Sequence, residues 1–373
     1  MLWRLGVNEL AQICLAYRNL VGRAEPAFLA TSIRFDGSAQ RQAGARMLFS
    51  EGRVVAGALG GGRLEADIVG RGPWLCADQA HLGRYEDDDE QSIGTSSDGS
   101  AEILIERVGP LTPGPFPLIE GCLREERRGA VATIINADTK RRLVGARVEL
   151  GPDASPPSAR LDDELKQRLL DAAGAALRSG TSAVERVGAV DVFVEAIEPP
   201  PHLFLFGGGP DALPLATLAN TIGWSVTVWE PNGRSSVRDR FAGIASVFEG
   251  TAAQTVERVN RAGRPLSVVM SRHYETDAAA LAELVGSRAL YVGVLGPPRR
   301  LSRLLDELDV PGVAAFPRVH GPAGLELGAR SPAEIALSII AEAQAALTGT
   351  SARSLSSRRT SLHALHANVG GAA

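Results

Sequence analysis

A glycine-rich turn in the second half of the chain has the residue types that bind phosphate. The turn, Gly207–Ala212 (GGGPDA), follows the apolar segment Leu203–Phe206. Glycine at 207 permits a tight turn, glycine at 209 lets backbone amides approach a phosphate, and a small residue at 212 allows close helix packing. Glu230 ends the next apolar segment, where an acidic side chain can bind a ribose 2′-hydroxyl. The candidate binding residues here are Gly207, Gly208, Gly209 and Glu230.

The same turn contains two residues that argue against an ordinary dinucleotide. Pro210 has no amide hydrogen, so the turn has one donor fewer. The Asp211 carboxylate would repel a pyrophosphate that lies close to it. A Rossmann-like fold that binds nothing at this turn is therefore an open alternative.

Two further segments place polar residues directly after apolar, strand-like segments. Ser271-Arg272-His273 follows VVM, and the run YVGVLGPPRR (291–300) ends in two arginines where a helix is predicted to begin. Cations at a helix N-terminus oppose the helix dipole, so an anionic ligand would compensate for them. The alternatives are that His273 only caps the next helix and that the arginines are simply solvated. The candidate residues are Ser271, Arg272, His273, Gly296, Arg299 and Arg300.

A long Gly/Pro-rich segment (318–330) precedes the last predicted helix, Ser331–Leu347. Ser331 as N-cap, Pro332 in first position and Glu334 three residues after the cap predict a well-defined helix start. Loops of this composition often fold over a ligand. We therefore add Gly324 and Arg330 to the candidate binding residues.

The first half of the chain contains two more glycine-rich turns, QAGARM (42–47) and GGGRLE (60–65). Both stand next to predicted strands, so their backbone amides could hold a ligand. The alternative is that they are hairpin turns joined by a salt bridge between Arg46 and Glu65. The candidate binding residues are Gly44, Arg46, Gly61, Gly62, Arg63 and Glu65.

The elements that must position these residues fall into two parts. The first mixes helices such as Leu161–Arg178 with strands such as Ala27–Arg34, whereas after the prolines 199–201 strands and helices alternate. Such alternation predicts a parallel sheet with helices on both faces. We predict an α/β fold with an N-terminal α+β domain (1–198), a Rossmann-type domain (199–347) and a disordered tail (348–373).

The composition excludes several classes of protein. The 373 residues carry a net charge of −4, which gives no bulk attraction to nucleic acid. Three cysteines without CxxC spacing argue against a disulfide framework and a structural zinc site. No leader-like start and no apolar run of membrane-spanning length are apparent, so we expect a cytoplasmic protein without membrane contact.

These segments, in this order, resemble the XdhC/CoxI family of xanthine dehydrogenase accessory proteins. The resemblance extends from Ala27 to Leu347 and is densest in the second domain. The blocks that carry it are FGGG, VVMSRHYETD, YVGVLGPPRR and GPAGLELGARSPAEIALSI. In the first domain the family pattern S-x-P-R-x-x-G-A-x-M corresponds to residues 38–47, and S-G-G-C-L-E corresponds to residues 60–65.

The resemblance implies a cytoplasmic factor that binds the molybdenum cofactor, protects it and delivers it to an apo-molybdenum hydroxylase of the xanthine or CO dehydrogenase type. It also implies help from a cysteine desulfurase in sulfuration of the cofactor. Molybdopterin carries a phosphate, or a dinucleotide in some hydroxylases, which suits amide-rich turns and arginines. No Ser/His/Asp arrangement or metal-ligand spacing is apparent, which favours a maturation factor over a turnover enzyme.

The sequence departs from the family pattern at four positions. Arg63 stands where the family has the cysteine of S-G-G-C-L-E, and Ser97 stands at a second family cysteine. Gln40 replaces a proline, and Pro210 replaces the usual histidine after the Rossmann glycines. Thiolates are the soft ligands for molybdenum and sulfur carriage, so these departures weaken the case for direct sulfur relay.

Two other functions fit the same residues. Gly207, Gly209 and Glu230 also fit an NAD(P)-dependent oxidoreductase. A non-catalytic scaffold between desulfurase and hydroxylase would need no cofactor site. We further expect a homodimer, because the first domain is small and its strands are flat.

Overall fold

The structure is a computed structural model, which describes residues 8–36, 43–86, 100–137, 141–158, 160–307, 317–354 and 356. Contacts divide the chain into two compact units with the border between Pro199 and Pro200. We call residues 9–199 the N-terminal unit and the residues from Pro200 onward the Rossmann unit. The predicted tail lies mostly outside the described residues.

The N-terminal unit begins with a five-stranded antiparallel sheet of strand order β3-β2-β1-β5-β4. Helix α2 covers one face, where Leu64 and Ile68 pack on Phe49 and Ile105 of the sheet. The elements are α1 (Glu9–Gly22), β1 (Ala27–Asp36), β2 (Arg46–Ser50), β3 (Arg53–Gly57), α2 (Gly62–Leu75), β4 (His81–Glu86) and β5 (Ser100–Val108).

The same unit contains a second antiparallel sheet of four strands, in the order β7-β6-β9-β8. Ile33 and Leu104 of the first sheet pack with Ile135 and Phe193 of the second. The elements are α3 (Phe116–Glu125), β6 (Gly129–Ala137), a 3-10 turn (Arg141–Leu143), β7 (Arg147–Leu150), α4 (Asp163–Ser179), β8 (Ala183–Val187) and β9 (Val190–Ile197).

The Rossmann unit is built on a six-stranded parallel sheet in the order β12-β11-β10-β13-β14-β15. Its central strands are largely apolar (HLFLF and PLSVV), as is typical of strands covered on both faces. The elements are β10 (His202–Phe206), α5 (Ala212–Thr221), β11 (Ser225–Trp229), α6 (Ser235–Arg240), β12 (Ser246–Phe248), α7 (Ala252–Arg261), β13 (Pro265–Val269), α8 (Tyr274–Val285), β14 (Tyr291–Val294), α9 (Pro298–Glu307), β15 (Val319–His320) and α10 (Pro332–Thr348).

Both faces of this sheet are covered by helices. Helices α5, α6 and α10 pack on one face, and α7, α8 and α9 pack on the other. The chain starts at β10, adds β11 and β12 on one side, and then returns to add β13 beside β10. This order is that of a dinucleotide-binding Rossmann sheet, whose topological switch point lies between β10 and β13.

The predicted fold class is confirmed: an α/β fold with a Rossmann-type parallel sheet, preceded by α+β structure. The capping box of α10 is also confirmed, since Ser331 and Glu334 bond to each other's backbone amides. Some elements lie outside the sequence prediction. They are β4, β7, β8, α6, β12, α7 and β15, of which β12 and β15 are edge strands of three and two residues.

Candidate functional site

The switch point brings two of the predicted segments into contact. The loops after β10 and β13 leave neighbouring parallel strands at the same edge of the sheet. Gly207 has a φ of +135°, and a Cβ at this position would lie 2.6 Å from the Cα of Ser271. Glycine is therefore required at 207 because two backbones meet there, which is the tight turn that the sequence indicated.

The next two glycines differ in what surrounds them. A Cβ on Gly208 would lie 2.5 Å from Cγ1 of Val237, whereas a Cβ on Gly209 would meet no atom within 4 Å. In the part of the chain that the structure describes, no acceptor is bonded to the amides of Gly208, Gly209 or Asp211. The turn therefore offers free donors beside open space, which is the arrangement that an anionic ligand needs.

Asp211, whose carboxylate was expected to repel a pyrophosphate, has a cationic partner. Its carboxylate forms an ion pair with Arg272 from the loop after β13. Arg272 adopts a left-handed backbone conformation with a φ of +67°. The negative charge at this turn is thus balanced across the switch point, and Arg272 is engaged with Asp211.

Glu230 lies at the end of β11, as predicted, but its carboxylate is already bonded. Arg234 donates to it through Nε (3.1 Å) and Nη2 (2.8 Å), and the amide of Asn232 donates at 3.3 Å. Only 2% of the Glu230 side chain is exposed. A ribose hydroxyl would have to displace Arg234 to reach this carboxylate.

Arg240, at the end of α6, was missed as a site residue. Its Nη1 donates to the carbonyl oxygen of Gly208 at 2.5 Å, so its guanidinium lies against the glycine turn. No carboxylate within the described ranges pairs with it. The sequence signal was the basic run 234–240 after the second strand, but neither α6 nor its direction was predicted.

Behind the switch point, Asp277 links two predicted segments. Its carboxylate accepts from the amide (3.0 Å) and hydroxyl (2.5 Å) of Ser271 and from Nη2 of Arg300 (2.6 Å). His273 is the N-cap of α8, but its side chain makes no capping bond. Arg300 therefore supports the loop after β13, while the exposed Arg299 has no ion-pair partner among the residues described.

The glycine at the start of α9 is fixed by packing against this arginine. Gly296 has a φ of +136°, and a Cβ there would lie 2.8 Å from Cδ of Arg300. Gly296 thus fixes the path of the chain where α9 begins. The binding of an anionic ligand by its loop stays a prediction.

The loop before α10 folds onto that helix through Glu342. The carboxylate accepts from the Tyr291 hydroxyl (2.6 Å) and the Gly324 amide (2.7 Å), and its other oxygen lies 3.3 Å from Nδ1 of His320. Burial alone would raise the pKa of Glu342, but these partners together hold that pKa below its usual value. Gly324 is therefore fixed on the helix, whereas the guanidinium of Arg330 is exposed.

The glycine turn 60–62 of the N-terminal unit is closed by its own chain. The amides of Leu59 (2.7 Å), Gly60 (3.2 Å) and Gly61 (2.7 Å) all donate to Oε1 of Glu65. Gly62 and Arg63 begin α2, and the Arg63 side chain is exposed. Of the amides that the sequence assigned to a ligand, that of Gly61 thus donates to a carboxylate of the protein, together with those of its neighbours Leu59 and Gly60.

The suggested salt bridge between Arg46 and Glu65 is wrong. Arg46 is 3% exposed and donates to both oxygens of Glu195, at 2.9 and 2.5 Å, and to the carbonyl of Gly44. A Cβ on Gly44 would lie 2.8 Å from that Glu195 carboxylate. These residues therefore form a buried ion pair within the N-terminal unit, 149 positions apart in sequence, which no local pattern could indicate.

All three cysteines are free, and all three are buried. Burial raises the pKa of Cys14 and Cys122 to about 12 and that of Cys76 to about 11. Their thiols are therefore protonated near neutral pH and poor nucleophiles. Among the described residues no group of three His, Cys, Asp or Glu side chains could hold a metal ion.

Comparison with known proteins matches both units to one family. The model of the XdhC and CoxI family matches residues 20–86, and the model of the XdhC Rossmann domain matches residues 203–343. The chain belongs to the XdhC and CoxI family.

Curated relatives and a solved structure are similar to the chain over different shares of its length. A Bacillus subtilis protein, named as a probable xanthine dehydrogenase subunit, is 31% identical over 85% of this chain and 92% of its own. An uncharacterized Escherichia coli protein, YqeB, is 29% identical over 48% of this chain and 33% of its own. A crystal structure described as a xanthine dehydrogenase from Bacillus halodurans has a TM-score of 0.67 and 23% identity, with 93% and 98% of the two chains covered, and it shows the same fold.

Two of the departures from the family pattern can be placed in this XdhC-family structure. Arg63 is an exposed cation on the first turn of α2, and Pro210 follows the open Gly209. Gln40 and Ser97 lie outside the described residues. No helix that the structure describes is long and apolar enough to cross a membrane.

Proposed function

We propose that the chain is a maturation factor that binds a molybdopterin-type molybdenum cofactor and delivers it to an apo-molybdenum hydroxylase. Membership of the XdhC and CoxI family and the name of the Bacillus subtilis relative support a xanthine dehydrogenase-type partner. The observation that carries the proposal is the set of free amides beside the open space at Gly209. Free donors at a Rossmann switch point favour a phosphate-bearing ligand.

The cofactor's phosphate is assigned to the amides of Gly208 and Gly209 and to the guanidinium of Arg240. Arg240 is held against the turn by its bond to the Gly208 carbonyl, and it keeps further N–H donors. Arg299, which has no ion-pair partner in the described ranges, adds positive charge after β14. When bound, the cofactor supplies the molybdenum chemistry that the hydroxylase uses, whereas these residues only bind and orient it.

Sulfuration of the cofactor is assigned to a partner rather than to this chain. The three thiols are buried, and their raised pKa values keep them protonated. A cysteine desulfurase that acts on the held cofactor would need no cysteine here. A non-catalytic scaffold between desulfurase and hydroxylase is an alternative, because it too would need no cysteine in this chain. A pull-down that recovers neither enzyme would count against it.

The binding experiment compares the full-length protein with two glycine variants. Gly209→Val adds carbon to the open space of the turn, and Gly286→Val is the matched control because a Cβ there also meets nothing within 4 Å. Each protein is incubated with molybdopterin cofactor, desalted and oxidised, and the retained pterin is measured by fluorescence. We expect retention by the wild type and the control and loss of at least about tenfold in Gly209→Val. No retention by the wild type would contradict the proposal.

An NAD(P)-dependent oxidoreductase is the second candidate. The strand order and the glycine turn favour it, whereas the closed pair between Glu230 and Arg234 speaks against ribose binding. Calorimetric titration with NAD+, NADH, NADP+ and NADPH tests whether this chain binds a nicotinamide dinucleotide, as an oxidoreductase of this type must. Dissociation constants above about 1 mM for all four would remove this candidate.

The proposal includes a homodimer that acts in the reducing cytoplasm, in keeping with three free cysteines. Light scattering of the purified protein is expected to give about twice the chain mass of 39.2 kDa. A single species at the chain mass would contradict the dimer.

A further inference from the structure

The N-terminal unit contains a cavity of about 520 Å³ that none of the predicted site residues lines. Its walls are the loop after α2, the end of β5, the loop before α3, the loop into β7 and the loop that follows β7. Ligand cavities commonly have volumes of roughly 300–1,000 Å³. The cavity is therefore large enough for a small organic molecule.

One wall holds a largely buried guanidinium in a fixed position. Arg147, 15% exposed, forms an ion pair with Glu106, and its Nε donates to the carbonyl of Gly145 at 3.3 Å. Its Nη1 has no partner among the residues that the structure describes. The wall thus presents a positioned donor that the fold itself does not use.

A second wall holds a buried carboxylate that is only half satisfied. Glu149 is 5% exposed, and its Oε2 accepts from the Ser155 amide at 2.8 Å. Its Oε1 has no hydrogen-bond partner within the described ranges. Burial raises the pKa of this carboxyl. Buried polar atoms are seldom left without a partner, so this oxygen marks a place for a donor from a ligand.

The rim of the cavity carries two exposed arginines and one exposed acid. Arg160 donates to the carbonyl of Arg142 at 3.1 Å, and neither Arg160 nor Arg107 has a carboxylate partner in the parts described. Asp78 is the acid, and it too is exposed. At the rim the two arginines outnumber the one acid, while inside the cavity Arg147 faces the carboxyl groups of Glu106 and Glu149, so the positive charge is concentrated at the mouth.

We propose that this cavity binds a small organic phosphate that also carries hydroxyl groups, such as a sugar phosphate. The phosphate lies between Arg147 and Arg160 and accepts from the free Nη1 of Arg147 and from the guanidinium of Arg160, because charge-assisted hydrogen bonds from guanidinium groups to phosphate are strong. The hydroxyls donate to Glu149, which supplies the partner that its free oxygen lacks. The site is separate from the Rossmann turn, and neither proposal rests on the other.

The test uses calorimetry on the full-length protein with ribose 5-phosphate, inorganic phosphate and ribose. We expect saturable binding of ribose 5-phosphate at millimolar concentration or below, tighter than that of either fragment. Arg160→Gln weakens this binding about tenfold, while Arg168→Gln, an exposed arginine on α4 outside the cavity, leaves it unchanged. Glu149→Gln keeps phosphate binding but loses most of the advantage of the sugar phosphate.

Gly209→Val separates the two sites, because it changes only the Rossmann turn and is expected to bind ribose 5-phosphate like the wild type. No saturable binding up to about 10 mM would overturn the proposal. Equal affinity of the Arg160 and Arg168 variants would overturn it as well, and so would loss of ribose 5-phosphate binding in Gly209→Val.

Discussion

The chain contains two glycine-rich turns that look alike in sequence and differ in what their amides do. In the turn at 60–62 the amides of Leu59, Gly60 and Gly61 converge on the carboxylate of Glu65, so these three donors are satisfied from within the protein. At Gly207–Gly209 the amides of Gly208 and Gly209 have no acceptor among the described residues, and the carboxylate nearby is paired with Arg272. One turn is closed by the protein, and the other is open to a ligand.

The difference teaches that glycine spacing indicates backbone geometry but not the partner of the amides. The distinguishing residue lies in the helix that follows. Helix α2 has an acid in its first turn, Glu65, whereas α5 has none, and Asp211 before it makes no capping bond. An acid in the first turn after a glycine-rich segment is therefore a signal for a self-satisfied loop.

The largest effect is expected from Gly207→Ala. The added Cβ would lie 2.6 Å from the Cα of Ser271, at a φ of +135°, so the two loops of the switch point would have to separate. We expect the free energy of unfolding to fall by about 3 kcal/mol or more, measured by urea denaturation. Gly61→Ala in the closed turn meets no atom within 4 Å but has a φ of +81°, so it should cost about 1–2 kcal/mol, from backbone strain alone. Equal losses would erase the contrast.

A smaller loss is expected from Glu65→Ala. The change removes the acceptor of three amides in the closed turn, and we expect a cost of about 2 kcal/mol in the same measurement. Asp67→Ala is the control, since its ion pair with Arg71 on the same helix is exposed and should contribute less than about 1 kcal/mol. If Glu65→Ala were as mild as the control, the turn would not depend on its carboxylate.

The three thiols extend the comparison to chemical reactivity, because they are buried within the N-terminal unit. In the native protein at pH 8 we expect no reaction of the three cysteines with an aromatic disulfide, and reaction of all three after unfolding. Their pKa values of about 11 to 12 exceed the usual value of 9.0. The unfolded state therefore loses these protons first, and the stability that they contribute falls as pH rises from about 9 toward 12. A rapidly reacting native thiol would reopen a sulfur-carrying role.

The smallest effect is expected from Arg240→Gln, a substitution beside the open turn. Loss of one guanidinium should weaken cofactor binding about tenfold, with little change in stability, because the side chain is partly exposed. Arg238→Gln removes an arginine that pairs with Glu249 instead and should change affinity less than about twofold. Equal effects would mean that only general charge matters.

The sequence predicted well what depends on neighbours along the chain. The four inner Rossmann strands, the tight turn at Gly207 and the capping box at Ser331 follow from local patterns, and the structure contains all of them. Partners distant in sequence could not be read in this way. Arg46 finds Glu195 across 149 positions, and Arg272 finds Asp211 across 61.

The short edge strands could not be predicted from the sequence either. Strands β12 and β15 have three and two residues, too few for a pattern of alternation. Helix α7 did carry a signal, since Thr251 and Gln254 form a capping box, and it could have been found. The direction of α6, which brings Arg240 to the glycine turn, depends on tertiary packing.

Amide hydrogen exchange, resolved residue by residue with NMR, tests the contrast between the two turns most directly. In the free protein we expect fast exchange at Gly208 and Gly209 and slow exchange at Leu59, Gly60 and Gly61, whose hydrogens are bonded to Glu65. Saturation with molybdopterin cofactor should slow exchange at Gly208 and Gly209 and leave the closed turn unchanged. Unaltered exchange at Gly208 and Gly209 under saturating cofactor would contradict the central claim.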